Sequence, residues 1–336
     1  MKKFNIRIKY IDIAKGIAIL LMIMGHVVGD GFLRKMIFSF HMPLFIITSG
    51  YFYKYRNIKD EFKKIFFKLL MPTVIITFVV TFIKNLSNTN VFISFLSSIK
   101  TILFCWSHQR NISYSCYSVD VLWFVFALVI IRLLFVINVK IAKQNDFKLI
   151  CLIIFGSYLG YLLGIKGLWL PWSIDVVLVG LIFYLFGFLS RKYDYFTKIK
   201  NDKLIILLIF LFWIVGIYNN NIEMAVRWYP NGLWSVFTAL CGSFVFLLIS
   251  YIIEKKSYLI KKGFEWCGMN SLYILYGHYI ESNFIPYASI LPNGLYTNII
   301  LIIIKIMISI LIALIFNCAV KLIKKINFNF QIKKHI

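Results

Sequence analysis

The sequence predicts an all-α fold, a polytopic membrane bundle of about ten transmembrane helices with both termini in the cytoplasm. Apolar residues make up 61% of the 336 residues, more than an ordinary soluble domain contains. Apolar runs of about 17–25 residues recur along the chain, and each is long enough to cross about 30 Å of hydrocarbon. Basic residues concentrate in alternate loops between these runs. We therefore expect one membrane domain over residues 1–336.

The apolar runs define the expected spans in order along the chain. The first run has no small-residue cleavage site and leads directly into the second, so we expect it to be retained as a span. The ninth run is the most polar because it carries Asn270, His278, Glu281 and Asn283. The predicted spans are residues 10–29, 34–53, 66–84, 119–137, 149–165, 172–189, 203–218, 232–252, 269–285 and 298–320.

The charge distribution predicts the orientation and excludes nucleic acid as a partner. The net charge is +24, and 27 of the 37 Lys and Arg residues fall in the loops on one side of ten spans, against seven on the other. This excess follows the positive-inside rule and places the basic loops and both termini in the cytoplasm. The basic residues either set topology alone or also contact anionic lipid headgroups.

The six cysteines show no CxxC pair and no mixed Cys/His spacing, so no metal site is predicted. Cys105 and Cys116 both fall in the predicted outer loop 85–118, where they form either a disulfide or two free thiols. That loop is half apolar, which favours a short amphipathic helix on the outer surface. His108 in the outer loop is expected to be a solvated surface residue, and His335 in the basic tail is given no role.

The first run aligns a cation with a titratable imidazole inside the membrane. His26 follows Lys15 by eleven residues, which leaves the two about 20° apart around a helix and about 16 Å apart along it. Ionisable groups within a span are costly and indicate function. Asp12 lies one turn before Lys15, where it either pairs with the lysine or takes part in catalysis.

The second run supplies a histidine and a group of small residues. His41 is followed by Pro43, which a helix tolerates in its first turn. Ser49 and Gly50 come later in the run. Small residues let helices approach closely, so the pair is either a packing notch or a site where backbone approaches a ligand.

Four segments of the chain resemble the acyltransferase 3 family of integral-membrane acyltransferases, the polysaccharide O-acetylases among them. They are Lys15-x10-His26 and the segments 40–51 (FHMPLFIITSGY), 122–125 (LWFV) and 268–278 (GMNSLYILYGH). Many members carry arginine where this chain has Lys15, and lysine lacks the bidentate phosphate fork of arginine. Ile46 and Ile47 also stand where many members place a further phenylalanine, a difference of packing more than of chemistry.

The resemblance implies a donor and a direction of transfer. Acetyl-CoA or another acyl-CoA binds from the cytoplasm, with Lys15, Ser49, Gly50 and Tyr51 as donor-binding residues. His26 then acts as general base on a sugar hydroxyl or takes the acyl group itself. His41 orients the acceptor or stabilises the oxyanion, unless it is only a polar anchor at the outer interface.

Polar residues at the predicted outer ends of spans are candidates for acceptor binding. Asp120 and Asp175 either bind sugar hydroxyls or cap helices. Trp123 either stacks on a sugar ring or belongs to an interfacial aromatic belt. His278 and Glu281 lie three residues apart on one helix face, as a second polar cluster or as a satisfied hydrogen-bonded pair.

Two classes of function fit these residues. The first is an O-acetyltransferase of the cell membrane, expected in a bacterial cytoplasmic membrane, which moves acetyl from acetyl-CoA to a cell-surface or lipid-linked glycan without a metal. The second is a transporter that exports polysaccharide or lipid-linked sugar. Transporters often show paired half-repeats with broken helices. The sequence shows no internal repeat, which favours the enzyme.

Overall fold

The computed structural model describes residues 7–106, 118–219, 222–256, 258–290 and 295–333. Within these ranges the chain is all-helical, with 84% helix and no strands. In chain order the helices are α1 (Lys9–Gly25), α2 (Phe32–Tyr51), α3 (Ile58–Ile65), α4 (Met71–Leu86), α5 (Val91–Phe104), α6 (Trp123–Ile141), α7 (Asp146–Ile165), α8 (Ile174–Tyr193), α9 (Tyr195–Ile199), α10 (Lys203–Tyr218), α11 (Leu233–Lys256), α12 (Tyr258–Met269), α13 (Ser271–Phe284), α14 (Tyr287–Ile290) and α15 (Leu295–Lys333).

Six helical segments in the described part of the chain are long and apolar enough to cross a membrane, which makes this a membrane protein. Each of them overlaps one of the spans expected from the sequence. One π-helical turn, Phe66–Leu70, joins α3 to α4 within the first of them. The six segments are Ile58–Leu86, Asp120–Ile141, Asp146–Ile165, Pro171–Tyr193, Leu233–Lys256 and Tyr296–Leu322.

The other four expected spans are helices that are shorter or more polar. The 17 residues of α1 extend only about 25 Å, and α2 carries Arg34, Lys35 and His41. The expected span 269–285 begins one helix and ends another, because α12 ends at Met269 and α13 begins at Ser271. Three polar residues of these helices, Lys15, His41 and His278, also take part in the site described below.

Asparagine and aspartate side chains mark where several helices begin. The side chains of Asn57, Asn90, Asn145 and Asp202 each accept a hydrogen bond from the backbone N–H three residues later. Such caps satisfy one of the N–H groups that a helix leaves without an intrahelical partner. They set the starts of α3, α5, α7 and α10. Two of these, α3 and α7, begin segments long and apolar enough to cross a membrane, and α5 and α10 are shorter apolar helices.

The helix α5 has its polar face inward. Ser94, Ser98 and Thr101 are buried, whereas Val91 and Phe92 are 64% and 73% exposed. The sequence predicted a short amphipathic helix in this loop, and α5 is a helix with a polar and an apolar face that packs against α4. The three buried hydroxyl groups form hydrogen bonds within α5 and with Thr89. An outward apolar face suits contact with hydrocarbon rather than with water. Cys105 follows directly and is buried, and burial raises the pKa of its thiol.

Glycines allow the helices around the site to approach each other closely. A Cβ on Gly50 would lie 2.1 Å from the carbonyl oxygen of Tyr184, and one on Gly187 would lie 2.0 Å from that of Ile47. These two contacts fix the crossing of α2 and α8. Small residues at membrane helix crossings increase the packed area where no hydrophobic force drives association.

Candidate active site

One face of α1 lines a cavity of about 370 Å³ within the bundle. Lys15, Ile19, Met22 and His26 all contribute to its wall. These positions are four, seven and eleven residues after Lys15, a spacing that keeps them on one side of a helix. The alignment predicted from the sequence is therefore present, and the cavity extends along it between the cation and the imidazole.

Aromatic and imidazole rings surround His26. The ring centroid of Phe38 lies 5.8 Å from that of His26 and 5.0 Å from that of His41. The ring of His278 approaches His26 from α13 at a centroid distance of 5.5 Å. The side chain of His26 is exposed, but the surface that it exposes is the cavity wall. The structure thus brings His26, which directly follows α1, together with the histidines of α2 and α13 at one end of the cavity.

The backbone of α2 determines the tautomer of His41. Its Nδ1 lies 2.8 Å from the carbonyl oxygen of Ile37, and a carbonyl oxygen can only accept. Nδ1 therefore donates, and in the neutral ring Nε2 carries the lone pair. His41 is 2% exposed and lines the cavity. A neutral His41 can accept a hydrogen bond from a hydroxyl group in the cavity, whereas an oxyanion would need its protonated form.

Behind His26, a buried carboxylate holds His278. The Nδ1 of His278 lies 2.7 Å from Oε1 of Glu281. Lys305 of α15 donates to both oxygens of the same carboxylate at 3.2 and 3.3 Å, and Ser282 donates to Oε1 at 3.1 Å. The His278–Glu281 proximity expected from their spacing is therefore a hydrogen bond, and Lys305 supplies the balancing charge.

Cations line the opposite end of the cavity. Lys15 pairs with Asp12 at 3.4 Å, so the salt bridge considered for Asp12 is present. Lys64 and Arg132 also line the cavity wall. Arg132 donates two hydrogen bonds to Glu61, which is buried. This end can therefore bind an anionic group.

The small residues of α2 divide between the cavity and a helix crossing. Ser49 and the neighbouring Thr48 line the cavity. Gly50 faces α8, where the carbonyl of Tyr184 occupies the space that a side chain would need. The carbonyl of Tyr51 accepts a hydrogen bond from Arg191 at 3.2 Å. Of the predicted donor-binding residues on α2, the structure thus places Ser49 at the cavity and Gly50 and Tyr51 beside it.

Two of the predicted acceptor-binding residues, Trp123 and Asp120, occupy different positions relative to the cavity. Trp123 is 3% exposed and lines the cavity. Asp120 is exposed in the short 3₁₀ turn Asp120–Leu122 that precedes α6, and its backbone φ is +46°. That turn contributes Val121 to the cavity wall. Asp120 therefore lies next to the cavity rather than in its wall.

Asp175 is engaged in an ion pair that the sequence did not indicate. The Nε and Nη2 of Arg227 lie 2.6 and 3.2 Å from its two oxygens, and both side chains are at most 1% exposed. The backbone N–H of Leu170 also donates to Asp175 at 3.3 Å. The guanidinium of Arg227 lies 3.9 Å from the ring centroid of Trp169. Both oxygens of Asp175 are thus committed to the protein.

The segment that follows α10 covers the His26 end of the cavity. Met224 and Ala225 contribute to the cavity wall. Glu223 forms two hydrogen bonds of 3.1 Å with Arg34 at the start of α2. The guanidinium of Arg34 lies 4.2 Å from the ring centroid of Phe38. The ion pair therefore ties this segment to the helix that carries His41.

Sequence reasoning missed the roles of Lys64, Arg132, Arg227 and Lys305. Arg132 and Lys305 lie within apolar runs, and an ionisable group there calls for a partner. That signal was available, but the partners lie 71 and 24 residues away. Other predictions, on Cys116, His108 and His335, lie outside the described residues.

The geometry combines an anion-binding end with a cluster of imidazoles across an apolar interior. An anionic group can bind near Lys15, while a chain attached to it extends towards His26. His26 lines the cavity, and an imidazole in that position is chemically able to act as a base or a nucleophile. The arrangement suits transfer of a group from an elongated, phosphate-bearing donor.

The comparison with protein families agrees with this geometry. A family model described as an acyltransferase domain matches residues 8–318, nearly the whole chain. The match includes the three clustered histidines, His26, His41 and His278. No curated protein matches the chain.

Proposed function

Because the chain belongs to the acyltransferase 3 family of membrane acyltransferases, we propose that it moves an acetyl group from acetyl-CoA to a hydroxyl group of a cell-surface or lipid-linked glycan. One observation carries this proposal: a single cavity is lined by Lys15, by His26 and by Ile19 and Met22 between them. The eleven-residue separation corresponds to about 16 Å, on the order of an extended pantetheine arm. A donor with its phosphates near Lys15 would present its thioester to His26.

The proposed orientation of the bundle would allow a transfer across the membrane. We propose ten membrane-spanning or membrane-inserted helical segments, with the termini and the Lys15 end in the cytoplasm of a bacterial cell, as the excess of basic residues favours. Acetyl-CoA is then available at the cationic end, and the glycan reaches the His26 end. The shorter helices would cross a locally thin or protein-shielded region.

The acceptor is proposed to bind near His26, His41 and Trp123. A neutral His41 can accept a hydrogen bond through Nε2 from a sugar hydroxyl, and the indole of Trp123 offers an apolar face to a sugar ring. Asp120 borders this end through the turn that carries Val121. Asp175 would contribute to acceptor binding only through Arg227 and the segment that Arg227 anchors.

Two routes at His26 fit the same geometry. As a general base, His26 takes the proton of the acceptor hydroxyl while the oxygen attacks the thioester carbonyl. As a nucleophile, His26 takes the acetyl group first and passes it to the hydroxyl. Each route needs an unprotonated nitrogen that faces the cavity, and the position of His26 in the cavity wall supports both routes equally.

Thioester turnover by the purified protein tests the proposal. We expect CoA release from acetyl-CoA in detergent or nanodiscs, loss of that release in His26→Ala, and retention in Tyr276→Phe, which removes a buried hydrogen bond to Thr73 at 2.8 Å. Deletion of the protein should also remove an ester-linked acetyl group from a surface glycan, measured by mass spectrometry. Turnover that persists in a well-folded His26→Ala protein would contradict the proposal.

The export alternative predicts a different outcome. A transporter with this cavity would leave acetyl-CoA intact and would lose glycan delivery, not glycan acetylation, on deletion. The family match favours the enzyme.

A further inference from the structure

The helices α13 and α15 enclose a carboxylate within the bundle. The side chain of Glu281 has no exposed surface, and His278 beside it is 2% exposed. Removing a carboxylate from water costs several kcal/mol unless partners compensate for the lost hydration. Here the compensation comes from His278, Ser282 and Lys305. An ion pair between Glu281 and Lys305 would be enough to join the two helices. The contact of His278 with Glu281 therefore requires a different explanation.

The contact with Glu281 fixes the tautomer of His278. An ionised carboxylate can only accept, so the 2.7 Å contact places a proton on Nδ1 of His278. The neutral ring then has its lone pair on Nε2. Lys305 keeps Glu281 in its ionised form by placing an ammonium group on both carboxylate oxygens. Nε2 of His278 is therefore available as an acceptor within the bundle.

The ring that can donate a hydrogen bond to Nε2 of His278 is that of His26. The two imidazole centroids lie 5.5 Å apart, with 42° between the ring planes. An N–H···N hydrogen bond of about 2.9 Å between two imidazoles places their centroids roughly 5 Å apart. A small rotation of the His26 ring therefore brings one of its N–H groups to His278. The other nitrogen of His26 is then unprotonated and faces the cavity.

We propose that Glu281 and His278 are positioning residues that act through His26, which rests on the acyl transfer proposed above. Glu281 orients His278, and His278 accepts the N–H of His26, so that the cavity-facing nitrogen of His26 keeps its lone pair. The acceptor hydroxyl gives its proton to that nitrogen while its oxygen forms a bond with the thioester carbonyl carbon. The carbon–sulfur bond then breaks, and the CoA thiolate takes the proton from His26.

We call the hydrogen-bonded series Glu281–His278–His26 the relay. In this relay no proton moves beyond His26. His278 and Glu281 keep their own protonation states through the reaction, and Lys305 balances the charge of Glu281 throughout. The gain comes from a fixed tautomer and ring orientation, as for a histidine held by a carboxylate in a hydrolase triad. The same orientation would serve His26 as a nucleophile.

The reactivity of His26 without substrate tests the relay. Diethyl pyrocarbonate modifies unprotonated imidazole nitrogens, and the rate at His26 can be followed by peptide mass spectrometry on the intact protein in nanodiscs. We expect His278→Phe and Glu281→Ala to slow modification of His26 at least tenfold. Glu281→Gln should recover part of the rate because its amide oxygen still accepts from Nδ1 of His278. Tyr276→Phe, on the same helix, should react at the wild-type rate.

A companion variant distinguishes loss of the relay from loss of the fold. Glu281→Ala leaves Lys305 without its counter-charge, so the double variant Glu281→Leu/Lys305→Met replaces the pair with apolar side chains that such sites tolerate. The relay predicts that this folded variant also modifies slowly at His26. In turnover assays the single variants should lower kcat with KM for both substrates unchanged.

The outcomes distinguish the two proposals. Wild-type modification rates in folded His278→Phe and Glu281→Leu/Lys305→Met would overturn the relay even if acetyl transfer is observed. Slow modification of His26 in these variants would support the relay even if acetyl-CoA proves not to be the donor. A change in KM alone, with kcat unchanged, would also overturn the relay.

Discussion

Gly16 of α1 and Gly268 of α12 face each other where the two helices cross, and neither position has room for a Cβ. A Cβ on Gly16 would lie 2.0 Å from the carbonyl oxygen of Phe264, and one on Gly268 would lie 1.7 Å from that of Asp12. Both neighbours are backbone atoms, which cannot rotate away. This crossing fixes the height and rotation of the helix that carries Lys15 and His26.

We expect Gly268→Ala to separate α1 from α12 and to lower the free energy of unfolding. Overpacking of a close contact costs about 1–3 kcal/mol and sometimes more, and here the obstacle is backbone. The measurement is thermal unfolding in detergent together with CoA release. Gly263→Ala is the matched control, because a Cβ at Gly263 on the same helix meets nothing within 4 Å. Equal stability of the two variants would show that the crossing is not rigid.

The sequence predicted the features that depend on local periodicity. The alignment of Lys15 with His26 and the proximity of His278 to Glu281 follow from helix geometry within a few turns. The close approach of Gly50 to Tyr184 depends on how α2 crosses α8, and no pattern within α2 encodes the position of α8. Packing and ligand approach leave the same small-residue signature, which is why Gly50 was expected at the donor site.

The partners of buried charges were not predictable in the same way. Arg132 lies 71 residues from Glu61, and Arg227 lies 52 residues from Asp175. Positive-inside counting treats Arg227 as a residue of an outer loop, although it is buried in the structure. Apolar patterning identified most of the helices, but the pairing of their charges depends on tertiary contacts that a single sequence does not encode.

The buried Asp175–Arg227 pair should govern stability more than substrate binding. We expect Asp175→Asn to cost about 3–5 kcal/mol, because it leaves a guanidinium in the protein interior without its counter-charge. Burial also raises the pKa of the adjacent Tyr229, which therefore stays neutral and cannot replace the carboxylate. Urea or thermal unfolding in detergent measures the change.

The matched control for this variant is Asp146→Asn. Asp146 pairs with Lys192 at 2.6 Å, but Lys192 is 38% exposed. Exposed pairs contribute little to stability, so a much smaller change is expected. If Asp175→Asn were as stable as Asp146→Asn but raised KM for the acceptor, Asp175 would be a substrate ligand rather than an anchor for Arg227.

Lys15→Met should weaken binding of the acyl donor through its phosphates. A hydrogen bond to a charged group contributes about 1.5–3 kcal/mol, so we expect KM for acetyl-CoA to rise about tenfold or more. The short thioester S-acetyl-N-acetylcysteamine carries no phosphate, and its turnover should not change. Lys9→Met is the control, since Lys9 begins the same helix but is exposed. An equal effect on both thioesters would instead assign Lys15 to holding Asp12.

The two ring nitrogens of His41 can be tested separately by amide substitutions. The amide nitrogen of asparagine occupies the place of Nδ1 and keeps the bond to Ile37, whereas the glutamine amide reaches the place of Nε2. Because Nδ1 already donates to Ile37 at 2.8 Å, Nε2 is the nitrogen that is left to bind the acceptor substrate. We expect His41→Gln to retain more acetyl transfer than His41→Asn, with similar acetyl-CoA hydrolysis in both. Better transfer by His41→Asn would mean that His41 serves α2 through Ile37 and that another group orients the acceptor.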